Sequence, residues 1–204
     1  MATRNRLRAE KLRGGMIIGR EVIVLEETRS TNDVITQMAS GDWPQGLCVF
    51  AEHQAAGRGQ RGNRWESASG KGLWFSILLR PKIDIKESAR LTTWVAGIIA
   101  DTLQDEFQLP ATVRPPNDVY INERKIAGVL VEMRAQTGSP HVAVVGIGVN
   151  VNHAPSDFSE ELRARATSLA IAGRGRFDRH LLALALLRNL DRTYVELFGS
   201  SSSF

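Results

Sequence analysis

The sequence predicts an α+β fold, a mixed and mostly antiparallel sheet with helices packed on it. Short extended runs recur along the chain, and those at 119–121, 125–133 and 141–149 are only a few residues apart. Parallel neighbours need crossovers of about a dozen residues or more, so these runs must pair antiparallel. The helical segments are few and do not alternate strictly with the strands, unlike a regular α/β sheet. A chain of 204 residues, 43% hydrophobic with 18 glycines besides, can close one full core without disulfide or metal staples.

The elements follow in order. Glu21–Leu25 reads as a β-branched strand. Ser30 or Thr31 can cap a short helix to Ala39, because a short hydroxyl side chain satisfies a free N–H of the first turn. Leu47–Ala51 reads as a strand, a glycine-rich loop runs from Gly57 to Gly72, and Leu73–Leu79 is the next strand. Over 86–107, Leu91, Trp94, Val95, Ile98, Ile99, Leu103 and Phe107 recur at three- and four-residue steps, which puts them on one buried helix face. Val113 and Val119–Ile121 are short extended pieces around a Pro-Pro turn. Asn122-Glu123 turns the chain into Lys125–Met133, residues 136–140 are a loop, and His141–Val149 is a strand. Asp178–Phe198 is a long amphipathic helix with Leu182, Leu186, Leu190 and Leu197 near its core stripe.

Charge is unevenly placed. There are 26 basic and 22 acidic residues; Arg4, Arg6, Arg8, Lys11 and Arg13 against Glu10 account for the whole excess of +4. The remainder is neutral, so the pI of 9.6 reflects a basic N-terminal segment rather than a basic domain. That segment, residues 1–19, is expected to be a peripheral arm able to touch phosphates only non-specifically. Residues 20–198 form the predicted domain and 199–204 a flexible tail. One cysteine, Cys48, excludes an intramolecular disulfide and favours a reducing, cytoplasmic setting. It sits in an apolar run and reads as a buried small hydrophobe. The four histidines show no paired ligand spacing, so a structural zinc site is not expected. No apolar run reaches the roughly 18 residues of a membrane span.

Four segments carry candidate chemistry. Residues 51–65 follow a strand and combine Gly57, Gly59 and Gly62 with Arg58, Arg61, Arg64 and Trp65. Glycines let backbone approach a ligand, guanidinium forks hold anions, and an indole offers a flat face. Composition alone leaves two readings open, a nucleotide-holding loop and a solvated basic turn; the glycine spacing is neither Walker A nor the dinucleotide fingerprint. Arg114-Pro115-Pro116-Asn117-Asp118 presents an amide and a carboxylate on a rigid turn, or is an ordinary turn capping a strand. Lys125 opens an apolar strand containing Gly128, and strand glycines often mark close backbone approach. Gly146-Ile147-Gly148-Val149-Asn150 ends a strand in small residues and an amide.

Their order, with Ser30-Thr31-Asn32 ahead of them, resembles the catalytic domain of biotin–protein ligases over about residues 20–198. The Gly-Arg-Gly loop ending in Trp lies at 57–65, the Lys-Trp-Pro-Asn-Asp counterpart at 114–118, the Lys-x-Ala-Gly strand at 125–132 and Gly-x-Gly-x-Asn at 146–150. The resemblance implies a sheet like that of class II aminoacyl-tRNA synthetases and lipoate ligases. It implies activation of biotin by ATP to biotinyl-AMP with Mg²⁺, then transfer to a lysine of a biotin carboxyl carrier domain. On this resemblance Ser30, Thr31, Asn32, Gln54, Gly57, Arg58, Lys125 and Gly128 serve biotin. Gln60, Arg61, Asn63, Trp65, Arg114, Asn117 and Asn150 serve ATP and the adenylate. Arg58, Lys125 and Asp118 carry the catalysis, with Asp118 nearest the metal. Gln60, Asn63, Arg114 and Pro115 depart from the family pattern. No helix-turn-helix and no C-terminal β-barrel is expected, and so no specific DNA binding. The other readings are a non-catalytic biotin or biotinyl-AMP binding module and a lipoate- or octanoyl-type transferase on the same fold.

Overall fold

The computed structural model describes residues 6–136 and 141–198; the expected tail at 199–204 and most of the loop at 136–140 lie outside them. Seven strands form one sheet: β1 Val22–Thr28, β2 Cys48–Gln54, β3 Gly72–Leu79, β4 Ala111–Arg114, β5 Asp118–Ile121, β6 Arg124–Arg134 and β7 Val142–Asn150. Their order is β1-β2-β3-β7-β6-β5-β4. Only β1 and β2 pair parallel, and the helix α2, Thr31–Met38, is their crossover. Every other neighbour is antiparallel, and for β5, β6 and β7 this is the pairing that their short connections predict. At the tight turn into β6, Asn122 and Glu123 both take left-handed backbone, φ 47° and 64°.

Alternation divides the sheet into two faces. One face carries Phe50, Phe75, Ile77, Val145 and Val149 against helices α3, Ser88–Asp105, and α6, Arg179–Phe198, with the short helices α4, Glu160–Arg163, and α5, Leu169–Ala172, between them in the chain. The other carries a smaller cluster of Val49, Leu78 and Val144 under Ile35 of α2. In α3 the predicted stripe holds, with Leu91, Val95, Ile99 and Leu103 fully buried. In α6 it is one residue wrong: Leu197 is exposed. Four-residue steps from Leu182, Leu186 and Leu190 lead to Tyr194 and Phe198, which pack with Trp94.

The basic segment is less peripheral than its charge suggests. Leu7, the short helix α1 (Ala9–Leu12) through Leu12, and Ile18 enter the main core. The Leu7 N–H donates to Glu52 at 2.8 Å, and the N–H groups of Met16, Ile17 and Ile18 donate to Asp191 at 2.7–2.9 Å. Cys48 is buried as expected, and burial pushes its thiol up to about 12.

Glu52 also accepts from both terminal nitrogens of the fully buried Arg179, joining β2 to α6 at 2.5 and 2.7 Å. Burial lowers the Arg179 pKa from its ordinary value, with Glu52 opposing that shift. Removing one partner of such a pair strands the other charge, at about 3–5 kcal/mol. Glu52→Gln should therefore lower urea-unfolding stability by about that amount, whereas a loss below about 1 kcal/mol, the range of exposed pairs, would show that the pair is immaterial.

Candidate active site

The site lies on the α2 face of the sheet, over a cross-strand row with two glycines at its centre. Trp74, Gly148, Gly128 and Asp118 stand opposite one another across β3, β7, β6 and β5. One step along, Ser76, Gly146 and Leu130 form the next row. The glycines are required. A Cβ on Gly148 would lie 2.6 Å from the Trp65 indole, one on Gly128 2.8 Å from it, and one on Gly146 closer still to Asn32. The trough exists to let Trp65 and Asn32 settle against bare backbone.

Trp65 reaches the trough through the fold of its loop. The Gly59 N–H donates to the Asn63 carbonyl at 2.7 Å and the Trp65 N–H to the Gly57 carbonyl at 2.9 Å. These two bonds make residues 57–65 a small hairpin, with Arg61 left-handed at its tip (φ 57°).

Two hollows flank Trp65. The first is lined by Ser30, Thr31, Asn32, Gln54, Arg58, Gln60, Asn117, Lys125 and Gly128. The second is lined by Asn63, Arg64, Asp118, Tyr120, Lys125, Asn150, His153, Asp157 and Phe158, among others. Trp65 and Lys125 border both.

The first hollow has a connected polar wall. The Thr31 N–H donates to Gln54 Oε1 at 2.8 Å, Thr31 and Ser76 share a hydroxyl bond at 2.7 Å, and Ser76 donates to Asn32 Oδ1 at 2.6 Å. Asn32 Nδ2 donates to Glu132 at 2.7 Å, and Glu132 and Asp33 hold Arg58 at 3.0 and 2.8 Å. Ser30 occupies the N-cap of α2, yet its hydroxyl makes no capping bond. Ser30 is buried and lines the first hollow.

Lys125 depends on a break in alternation. Counting back from Gly128, regular pleating would turn Lys125 toward the main core. Between Val119 and Tyr120 the register slips: Ala127 pairs with Val119 and Lys125 with Tyr120, leaving Ile126 extra. Ile126 and Ala127 both enter the core, and Lys125 returns to the glycine face. A bulge re-aims a side chain in this way. The Lys125 ammonium then lies 2.6 Å from Asp118 and 5.3 Å from the Trp65 ring centre.

Asn117 is pinned to β6, its carbonyl accepting from the Val129 N–H at 2.9 Å and its amide donating to the Val129 carbonyl at 3.2 Å. Three expected residues border neither hollow, Arg114, Arg61 and Gly57. Arg114 lies one strand farther out, stacked on Tyr120 with its guanidinium 4.1 Å from the ring centre and paired with Glu123. Arg61 is exposed on the hairpin tip and borders neither hollow. Gly57 supports the hairpin from behind, where a Cβ would meet the Trp65 carbonyl at 2.6 Å. For a metal, Asp118 is a poor anchor because Lys125 already occupies it, and among the described residues no three His, Cys, Asp or Glu side chains cluster.

Sequence reasoning passed over Asp33, Ser76 and Glu132, whose roles depend on register, and His153, whose position three residues past Asn150 was its only signal. His153 is 2% exposed, stacked on Phe158 and edge-on to Trp74.

The domain is thus a mixed sheet in which two hollows meet at one lysine. The chain belongs to the biotin/lipoate A/B protein ligase family, whose model matches residues 24–150. It is 33% identical over 178 residues to the bifunctional ligase/repressor BirA of Bacillus subtilis, covering 87% of this chain and 55% of that protein. It is 33% identical over 210 residues to the biotin–[acetyl-CoA-carboxylase] ligase of Mycobacterium tuberculosis, covering 96% of this chain and 75% of that protein. The chain thus spans about half the length of the BirA relatives it matches. Among solved structures, the biotin protein ligase of Aquifex aeolicus in complex with biotin and ATP superposes with a TM-score of 0.71 at 30% identity, covering 88% of this chain and 74% of that one.

Burial lowers the His153 pKa to about 4, with Asp157 opposing and Lys71 adding to the shift. Its unfolded value is near 6.5, so the unfolded chain binds the proton first as pH falls. Stability from this group is complete above about pH 6.5 and is lost as pH drops toward 4, by roughly 3 kcal/mol. Unfolding curves at pH 7 and pH 4.5 should differ less in His153→Phe than in the wild type; an equal difference would refute the assignment.

Proposed function

We propose that this chain activates biotin with ATP to biotinyl-5′-AMP and passes the biotinyl group to a lysine of a biotin carboxyl carrier domain, in the cytoplasm. The observation that carries the reading is that Lys125 borders both hollows. An acid in one and a nucleotide in the other would meet at its ammonium. The polar wall of Ser30, Thr31 and Gln54 suits a ureido head, which needs hydrogen-bond partners once buried. This favours biotin over lipoate, whose ring carries no such head.

In the first step a carboxylate oxygen of biotin attacks the α-phosphorus, the bond to the bridging oxygen breaks, and pyrophosphate leaves. Both reactants are anions, and Lys125 and Arg58 neutralise the charge where they meet. Arg58 does so after exchanging Asp33 or Glu132 for the ligand. In the second step the carrier amine attacks the acyl carbon and AMP leaves; Asp118 stands beside this junction to take the amine's proton. Trp65 and the hairpin exclude water from the mixed anhydride. Mg²⁺ typically binds through one or two carboxylates and substrate phosphates, so here it would be held chiefly by the nucleotide.

Pyrophosphate release should require biotin and should fall by roughly a hundredfold or more in Lys125→Ala, the scale of losing one charge-stabilising group. Labelled biotin should then reach a carrier domain. Binding of biotin without biotin-dependent release would leave a binding module, and release with lipoate instead of biotin would reassign the substrate.

Gln60 borders the first hollow, at a position where the resemblance to biotin–protein ligases implies an arginine. Restoring the fork with Gln60→Arg should slow escape of free biotinyl-AMP about tenfold, the worth of one charge-assisted hydrogen bond. Unchanged escape, measured without acceptor, would show that residue 60 plays no part in retention.

A further inference from the structure

Among the described residues, two that line the second hollow have a buried side-chain nitrogen without a hydrogen-bond partner, Trp65 at Nε1 and His153 at Nδ1. Such an orphan costs about 1–3 kcal/mol, and buried polar groups in folded proteins nearly always have a partner. The His153 ring is held firmly. It stacks on Phe158 at 5.0 Å with the planes 15° apart, and meets the edge of Trp74 at 5.7 Å. Its carbonyl accepts from the Ser168 hydroxyl at 2.7 Å, which fixes the backbone as well. Asn150, 5% exposed, borders the same hollow from the end of β7.

The chemistry of this corner suits a flat heterocycle. A neutral imidazole offers one donor and one acceptor, and the low pKa keeps His153 neutral near pH 7. A neutral ring in an aromatic wall has little to offer a phosphate. The acid–phosphate junction belongs at Lys125, the residue shared with the first hollow, whereas His153 borders the second hollow alone. The base must lie away from that junction.

We propose that His153 is the base-binding residue of the nucleotide hollow, hydrogen-bonding the edge of the adenine ring while Asn150 flanks it. The assignment rests on the ligase reading and goes beyond it, because the reaction itself requires no particular contact to the base.

The test is calorimetric binding of ATP, inorganic tripolyphosphate and biotin to the wild type, His153→Phe and His153→Gln. Phe keeps the aromatic stack and removes both nitrogens; Gln keeps a donor and an acceptor. His153→Phe should bind ATP about tenfold more weakly, the scale of one lost hydrogen bond with its partner left buried. It should bind tripolyphosphate and biotin as the wild type does, and His153→Gln should recover part of the ATP affinity. Unchanged ATP affinity in His153→Phe overturns the assignment, as does an equal loss for ATP and tripolyphosphate. If His153→Phe also loses biotin, the fold is disturbed and His153→Gln decides: a tenfold loss of ATP there overturns the assignment too. A wild-type chain that binds no ATP overturns the ligase reading, and this assignment with it.

Discussion

A β-strand turns successive side chains to opposite faces, and in β6 that rule is broken once, at Ile126. The site depends on the break. With regular pleating, Gly128 and Lys125 would point to opposite sides of the sheet, and Lys125 would enter a core of Val119, Val129 and Val149. An ammonium there would be desolvated without a partner, at a cost of several kcal/mol. One extra residue instead buries Ile126 and Ala127 together and returns Lys125 to Asp118 and Trp65. The same bulge preserves the core and aims the cation.

The glycine row works with the bulge. Trp65 can border both hollows because Gly128 and Gly148 let its indole lie on backbone. Polar groups in the first hollow then pair with one another from Gln54 through Thr31, Ser76, Asn32 and Glu132 to Arg58. A ligand entering there would exchange hydrogen bonds along this chain, with the Ser30 hydroxyl the further group that it could meet. Its affinity therefore depends on how well its own donors and acceptors match that chain, since mismatched buried groups cost more than matched ones return. Gln60, on the hairpin, borders the open side of the same hollow and has no part in this chain of bonds.

The strands, the two long helices and the antiparallel pairing were legible in the sequence because they depend on local periodicity and on connection length. So were Ser30, Thr31, Gln54, Lys125 and Gly128, whose motif order survives in one sequence. What could not be read there is register. Ser76 and Glu132 look like ordinary strand residues until pairing puts Ser76 beside Gly146 and Asn32. The family resemblance gives Arg114 to ATP and the adenylate, and the motif hides Tyr120 and Glu123, which hold its side chain aside. His153 shows no metal-ligand spacing in the sequence, and no pattern in one chain announces a lone buried imidazole.

The N-terminal segment shows the same limit at the level of charge. Its excess of basic residues suggested an arm held by nothing, yet its apolar residues decide its position. Leu7, Leu12 and Ile18 are buried, and each such side chain stabilises by roughly 1.5–3 kcal/mol. The pairs that Arg6 and Arg13 make with Glu26 and Glu21 are exposed, and exposed pairs contribute about 0–1 kcal/mol each. Four backbone N–H groups of the segment are satisfied by Glu52 and Asp191, carboxylates that the count of net charge sets against distant arginines. Glu52 lies on β2, two residues before Gln54 of the polar wall. The segment and α6 thus hold from behind the strand end that presents the first hollow, and their packing contributes to the site's rigidity without adding a group to its chemistry.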